Sequence, residues 1–144
     1  MSYGKITAEG LAALRKKIGV ERAVTEPYNE YVTKDGVKHY ARAIGDPNPL
    51  WLDEAYARKT RWGGIIASPG YLNSVGWGSW DVRRGQGLAG VHGLHAGDIY
   101  EYYRPMRLGD KFATTTYLQD VVEKKGEYAG RMILQTHAAV FKNQ

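Results

Sequence analysis

Between Gly45 and Asp53 the chain reads GDPNPLWLD, which gathers side chains able to do acid–base or positioning chemistry. Asp46 is a general base if burial raises its carboxyl toward the working pH; as a lone carboxylate in an Asp-Pro-Asn turn it is also a loop staple, capping nearby backbone N–H groups. Asn48 carries the same pair of readings, orienting a ligand or holding the loop. Further along, Gly63 and Gly64 can present bare backbone N–H groups to a carbonyl oxygen, an arrangement that stabilises an enolate-like oxygen, or can form a plain tight turn. Arg58, Lys59 and Arg61 precede that glycine pair as partners for an anionic group or as solvated surface charge, and Arg83 and Arg84 carry the same ambiguity. Trp51, Trp62, Trp77 and Trp80, with Tyr56 and Tyr71, bring aromatic surface to the same stretches. Flat rings suit an aryl or cyclic ligand and equally suit core packing.

Other chemistries find no support. The chain has no cysteine, which excludes a thiolate nucleophile, a disulfide framework and cysteine-based metal sites. His39, His92, His95 and His137 are not at ligand spacings, so no metal is expected. Structural or surface roles are expected for all four, with His39, one turn before the motif, and His95, ahead of a strand, as the nearest substitutes for a base. Neither GxGxxG nor GxxxxGK occurs. The net charge of +5, from 20 Lys and Arg against 15 Asp and Glu, is interleaved along the chain, so no nucleic-acid stripe is expected. That modest excess suits an anionic small ligand or a solvated basic surface. No stretch approaches the ~18 apolar residues of a membrane span, and a reducing cytoplasm is the expected setting.

The elements that must position these residues follow from pattern. A length of 144 residues predicts one domain over 1–144, with residues 1–22 as a peripheral N-terminal helix. Thr7 is its N-cap, Leu11, Leu14 and Ile18 share a face, and Gly19 ends it. A second helix starts at Thr33, buries Val37, Tyr40, Ala41 and Ile44, and stops at Gly45. It delivers the chain into residues 45–53, where two prolines and an asparagine predict a tight loop rather than helix or strand. A helical turn over 53–59 follows, and a third, largely apolar helix is predicted over 70–80. Beyond Gly87 turn residues punctuate β-rich runs at 91–95, 99–104, 111–123 and 128–142, with turns at RLGD and KKGEY. Helices followed by an antiparallel meander describe an α+β domain whose sheet wraps one apolar helix.

The run YARAIGDPNPLWLDEAYARKTRWGGIIASP resembles the N-terminal MaoC-like domain, also called the fungal-fatty-acid-synthase-like dehydratase domain. The string YYRPMRLGDKF resembles the same family's later strand and turn, and the match runs in order from about Val24 onward. This resemblance implies a hot-dog fold, a curved antiparallel sheet around a central apolar helix, commonly paired with a second hot dog. It also implies acyl thioesters of coenzyme A or an acyl carrier as ligands, with coenzyme A part of the substrate and no separate cofactor. Related (R)-specific enoyl-CoA hydratases carry GDxNPxH, whose Asp and His activate water; Asp46 and Asn48 match, and Trp51 stands where the His belongs. An indole N–H is donor-only and takes no proton from water near neutral pH.

The resemblance therefore implies a lyase subunit. Asn48, Trp51, Trp62, Gly63, Gly64, Ser68 and Tyr71 would shape the acyl site, and Arg58, Lys59 and Arg61 would meet the coenzyme A phosphates. A partner hot-dog chain, in a heterodimer or heterotetramer, would supply the Asp and His. Two alternatives stay open: a homo-oligomeric hydratase, such as a homodimer, with altered chemistry using Asp46, and a non-catalytic thioester-binding module. Where the family has APPTF this chain has ASPGY, so Ser68 and Gly70 depart, and Gly70 is expected to leave room for a bulky acyl group at the start of the central helix.

Overall fold

The computed structural model describes residues 6–76, 88, 91–127 and 130–144. Trp77, Trp80, Arg83, Arg84 and residues 77–80 of the predicted 70–80 helix lie outside them. Contacts divide the chain into two units, one of Met1–Val24, Ser79–Asp98 and Thr114–Val140, the other of Thr25–Gly78, Ile99–Ala113 and Phe141–Gln144.

In the first unit, helix α1 spans Ala8–Arg15, with the Thr7 hydroxyl accepting from Gly10 N at 3.0 Å. Glu9 in its first turn and Arg15 in its last complement the helix dipole. Leu11 and Leu14 bury against Leu118 and Val121, each apolar side chain contributing about 1.5–3 kcal/mol. Ile18 does not extend that face: the helix ends first, and Ile18 stays 40% exposed. Its backbone instead forms a parallel bridge with Leu118, and Gly19, at φ +78°, donates to the Leu118 carbonyl at 2.9 Å.

The sheet has the order β1-β2-β3, from Arg22–Ala23, Phe112–Gly126 and Gly130–Asn143. β1 is too short to announce itself in sequence. It runs antiparallel to β2, with Arg22 opposite Thr116 and Ala23 opposite Thr115. Along β2 the buried positions are Thr114, Leu118 and Val121, so the inward parity changes between the last two. There the Asp120 carboxylate takes the Val121 N–H at 2.8 Å. β3 has no fully buried residue and is the end strand of the described sheet.

In the second unit, α2 covers Lys34–Ala43 with the Thr33 hydroxyl capping Gly36 N. Val37 and Ala41 are buried, Tyr40 is half-buried, and Ile44 is 55% exposed because the helix ends before it. Residues 45–53 are not all loop: Pro49–Leu52 form a single helical turn, α3, started by Pro49 in the first position and by Asn48 Oδ1 accepting from Leu50 N. Helix α4, Glu54–Arg58, follows, and Asp53 caps it by accepting from Ala55 N and Tyr56 N. The third helix opens as a 3₁₀ turn over Pro69–Tyr71 and continues as α5, Leu72–Gly76.

α2 and the 3₁₀ turn interlock. A Cβ on Gly36 would lie 2.6 Å from the Tyr71 hydroxyl, and one on Gly70 would lie 2.7 Å from the Tyr40 hydroxyl. The two rings meet edge to face at 5.7 Å. The space expected above Gly70 is thus filled by Tyr40 rather than left for a ligand.

Strands do not form at 91–95 or 99–104. β-propensity reflects fit to a packed, paired surface, and no such pairing occurs here. Leu94, Ile99 and Tyr103 are 87%, 94% and 87% exposed. The alternation in 99–104 is nevertheless real: Tyr100 and Tyr102 stack at 6.1 Å, and their hydroxyls donate to Asn73 Oδ1 and the Pro69 carbonyl, both at 2.7 Å. The RLGD turn is present, with Gly109 at φ +89° and Asp110 accepting from Arg107 N. β2 runs to the end of the predicted KKG segment.

Candidate functional site

Gly45, at φ +70°, ends α2 and turns the chain, while Asp46 N donates back to the Ala41 carbonyl at 2.9 Å. One carboxylate oxygen of Asp46 accepts from Asn48 N at 3.0 Å and the other from the Trp51 indole N–H at 2.8 Å. Trp51 is 9% exposed and belongs to the core cluster with Val37, Ala41, Ala57 and Tyr71. Asp46 therefore has both oxygens engaged within its own loop, and the side chain nearest to it is a donor that accepts no proton. Asn48 is exposed and its side-chain oxygen caps α3. This arrangement holds a loop and buries an indole, and it gives Asp46 a donor-only neighbour where a proton relay needs an acceptor.

The remaining predicted residues fall in different environments. Ser68 and Tyr71 are 3% and 1% exposed, and the Tyr71 hydroxyl is buried without a hydrogen-bond partner. Gly63 adopts φ +70°, but its N–H already donates to the Thr60 carbonyl at 3.0 Å. Gly64 N–H has no acceptor among the described residues, and open space lies over both glycines. Arg58 pairs with Glu54, which also holds Lys34, so Arg58 has a carboxylate already. Lys59 is exposed at the end of α4. Arg61 lies 4.4 Å over the Trp62 ring.

Two arginines that sequence reasoning left out join Arg61. Ile66 bridges Arg107, and Ala67 N donates to the Met106 carbonyl at 2.9 Å, which sets the Gly63–Gly64 turn beside the segment RPMRLGD. A groove of about 600 Å³ results, lined by Arg61, Trp62, Arg104, Arg107, Asp110 and Asn143. Arg107 donates from its guanidinium to the Trp62 carbonyl at 2.8 Å. The available signal was the arginine pair three apart just before a glycine turn. Among the described residues no group of three or more His, Cys, Asp or Glu could hold a metal, and no helix is long and apolar enough to cross a membrane.

This α+β architecture is the hot-dog fold of hydratases and dehydratases. It is similar to one in the ChsH1–ChsH2 complex of Mycobacterium tuberculosis (TM-score 0.66, 22% identity, covering 93% of this chain and 80% of that one). It is also similar to a MaoC-like dehydratase from Rhodospirillum rubrum (TM-score 0.61, 22% identity, 97% and 87%) and to the unliganded R-hydratase PhaJ1 of Pseudomonas aeruginosa (0.52, 17%, 85% and 85%). Residues 17–144 match the family described as FAS1-like, dehydratase domain region, and the chain belongs to that family. Its relatives include UPF0336 proteins of Streptomyces avermitilis, 28% identical over 76% of this chain and 79% of the relative, and of Thermobifida fusca, 29% identical over 81% and 77%.

Proposed function

We propose that this chain, as one hot-dog domain over residues 1–144 with 1–22 peripheral, is the acyl-thioester-binding subunit of a cytoplasmic hydratase or dehydratase. A partner hot-dog chain supplies the Asp and His for reversible water addition to a trans-2-enoyl thioester. The observation that carries this reading is the hydrogen bond from the Trp51 indole to Asp46, at the place where hydratase motifs put a proton-accepting His beside that Asp. Water addition needs a group that takes a proton; the indole N–H cannot, and both oxygens of Asp46 already accept within the loop, which favours a base from another chain.

Two further features support a partner. β3 ends the described sheet with Met132, Leu134 and Val140 each about 37–38% exposed, and an edge strand with apolar side chains and no neighbour beyond it among the described residues invites pairing. One of the similar solved folds is itself a complex of two differently named chains. Membership in a dehydratase-region family supports the reaction class, and the Gly64 N–H, with no acceptor among the described residues, is left for the substrate's carbonyl.

The test is a hydratase assay following loss of the enoyl-thioester absorbance, with the purified chain alone and mixed with a co-expressed GDxNPxH-bearing hot-dog chain. Turnover only in the mixture, abolished by changing the partner's Asp or His, is expected. Turnover by the chain alone, lost in Asp46→Asn, would overturn the division of labour in favour of a homo-oligomeric enzyme.

A further inference from the structure

The groove beside the Gly63–Gly64 turn carries a charge pattern that the proposed acyl site does not use. Arg61, Arg104 and Arg107 line it with one carboxylate, Asp110, so these four side chains leave a formal excess of +2. That carboxylate is already accepting the Arg107 backbone N–H at 2.6 Å. Arg104 has no carboxylate partner among the described residues. Two of the three guanidiniums, those of Arg61 and Arg107, are also held differently from flexible surface charge. Arg61 stacks at 4.4 Å on Trp62, and Arg107 is tethered at 2.8 Å to the Trp62 carbonyl. Part of the entropy lost on gripping an anion is therefore already spent. Planar guanidinium forks that line one groove match the oxygens of a phosphoryl group.

We propose that Arg61, Arg104 and Arg107 form a phosphoanion site that receives the phosphate-bearing end of the thioester carrier. Arg58, the nearest alternative from sequence, already pairs with Glu54, a carboxylate it shares with Lys34. This deepens the acyl-thioester reading and rests on it for the identity of the ligand. The shared chemistry is a phosphate ester or diphosphate, whose source is either free coenzyme A or the phosphopantetheine arm of a carrier.

The experiment is isothermal titration of the full chain, at low salt, with one short acyl group on three carriers: pantetheine, phosphopantetheine and coenzyme A. Inorganic pyrophosphate is a fourth probe, and thermal melting checks that the variants fold. The expected result is binding at least about tenfold tighter for the phosphorylated carriers than for pantetheine, since hydrogen bonds to charged groups are the stronger ones. The double variant Arg61→Gln/Arg104→Gln, folded, should erase that difference and leave pantetheine-thioester binding unchanged. A gain already complete with phosphopantetheine assigns the site to a carrier arm; a gain seen only with coenzyme A assigns it to the nucleotide phosphates. Equal binding of all three, or a gap that survives the double variant, overturns the phosphoanion site while leaving the acyl reading intact. If no thioester binds, the acyl reading fails and pyrophosphate decides the groove: binding lost in the double variant supports it, and no binding overturns it.

Discussion

The Trp51 indole N–H donates to Oδ2 of Asp46 at 2.8 Å across the turn that carries Pro47, Asn48 and Pro49. Because Trp51 is nearly buried and the Asn48 N–H takes the other oxygen, the bond joins the core to the loop at a single carboxylate. Trp51→Phe keeps most of the packing and removes the donor, and should cost about 1–3 kcal/mol. Asp46→Ala should cost a similar amount, because it leaves the buried indole unpaired. The double variant should cost less than the sum by about 1–2 kcal/mol, the coupling expected of directly bonded neighbours. Urea unfolding of the four proteins measures it, and additive costs would show that the bond contributes nothing.

Tyr71 and Gly36 give a second cycle. The Tyr71 hydroxyl is buried and unpartnered, so Tyr71→Phe should be neutral or stabilising by up to about 1 kcal/mol, since the orphan group's desolvation penalty disappears. Gly36→Ala alone should destabilise by about 1–3 kcal/mol, because its Cβ would sit 2.6 Å from that hydroxyl. Combining them should recover part of the loss, since the Tyr71 hydroxyl is gone while the Thr33 hydroxyl, 2.8 Å from the same Cβ, stays. Thermal melts of the four proteins check this.

Glu54 should titrate low. The Lys34 hydrogen bond first, then that of Arg58, hold its carboxyl below the usual glutamate range. With the folded value depressed, the pairing stabilises the fold above the unfolded glutamate value and is lost as pH falls through the folded one. Carboxyl carbon NMR should place its midpoint below the ordinary glutamate range, and Lys34→Met should move it up.

Tyr102 should titrate late. Partial burial, with smaller effects from Tyr100 and Tyr40, raises its phenol above the ordinary tyrosine range. Here the sign reverses: the folded state retains the proton longer, so this contribution is complete below the unfolded value and lost as pH rises through the folded one. Loss of the hydroxyl's bond to the Pro69 carbonyl should accompany ionisation. A tyrosinate absorbance titration should lose one late-ionising group in Tyr102→Phe.

Local rules reached as far as local interactions decide. Thr7 and Thr33 cap the helices they were expected to cap, because an N-cap needs only its own next three residues. RLGD turns as its glycine and aspartate require. The motif string also carried the family, which the match over 17–144 bears out. What stayed hidden depended on partners distant in sequence. Segments 91–95 and 99–104 have strand composition without forming strands, and Arg104 and Arg107 share a groove with Trp62 because Ile66 and Ala67 pair with Arg107 and Met106. Proline at the start of a turn signalled a loop in PNPLWL, yet the same proline starts a helix when an asparagine precedes it. The Asp46–Trp51 bond required knowing that this turn of helix swings the indole back over the loop.

The exchange of tyrosines and glycines between α2 and the 3₁₀ turn reaches beyond stability. Each segment offers one notch and one ring, Gly36 with Tyr40 and Gly70 with Tyr71. A larger residue in either notch collides with the opposite ring unless that ring shrinks in the same lineage. The four positions should therefore be inherited as two linked pairs, and a descendant that has lost one glycine should betray it by the size of the aromatic residue facing it.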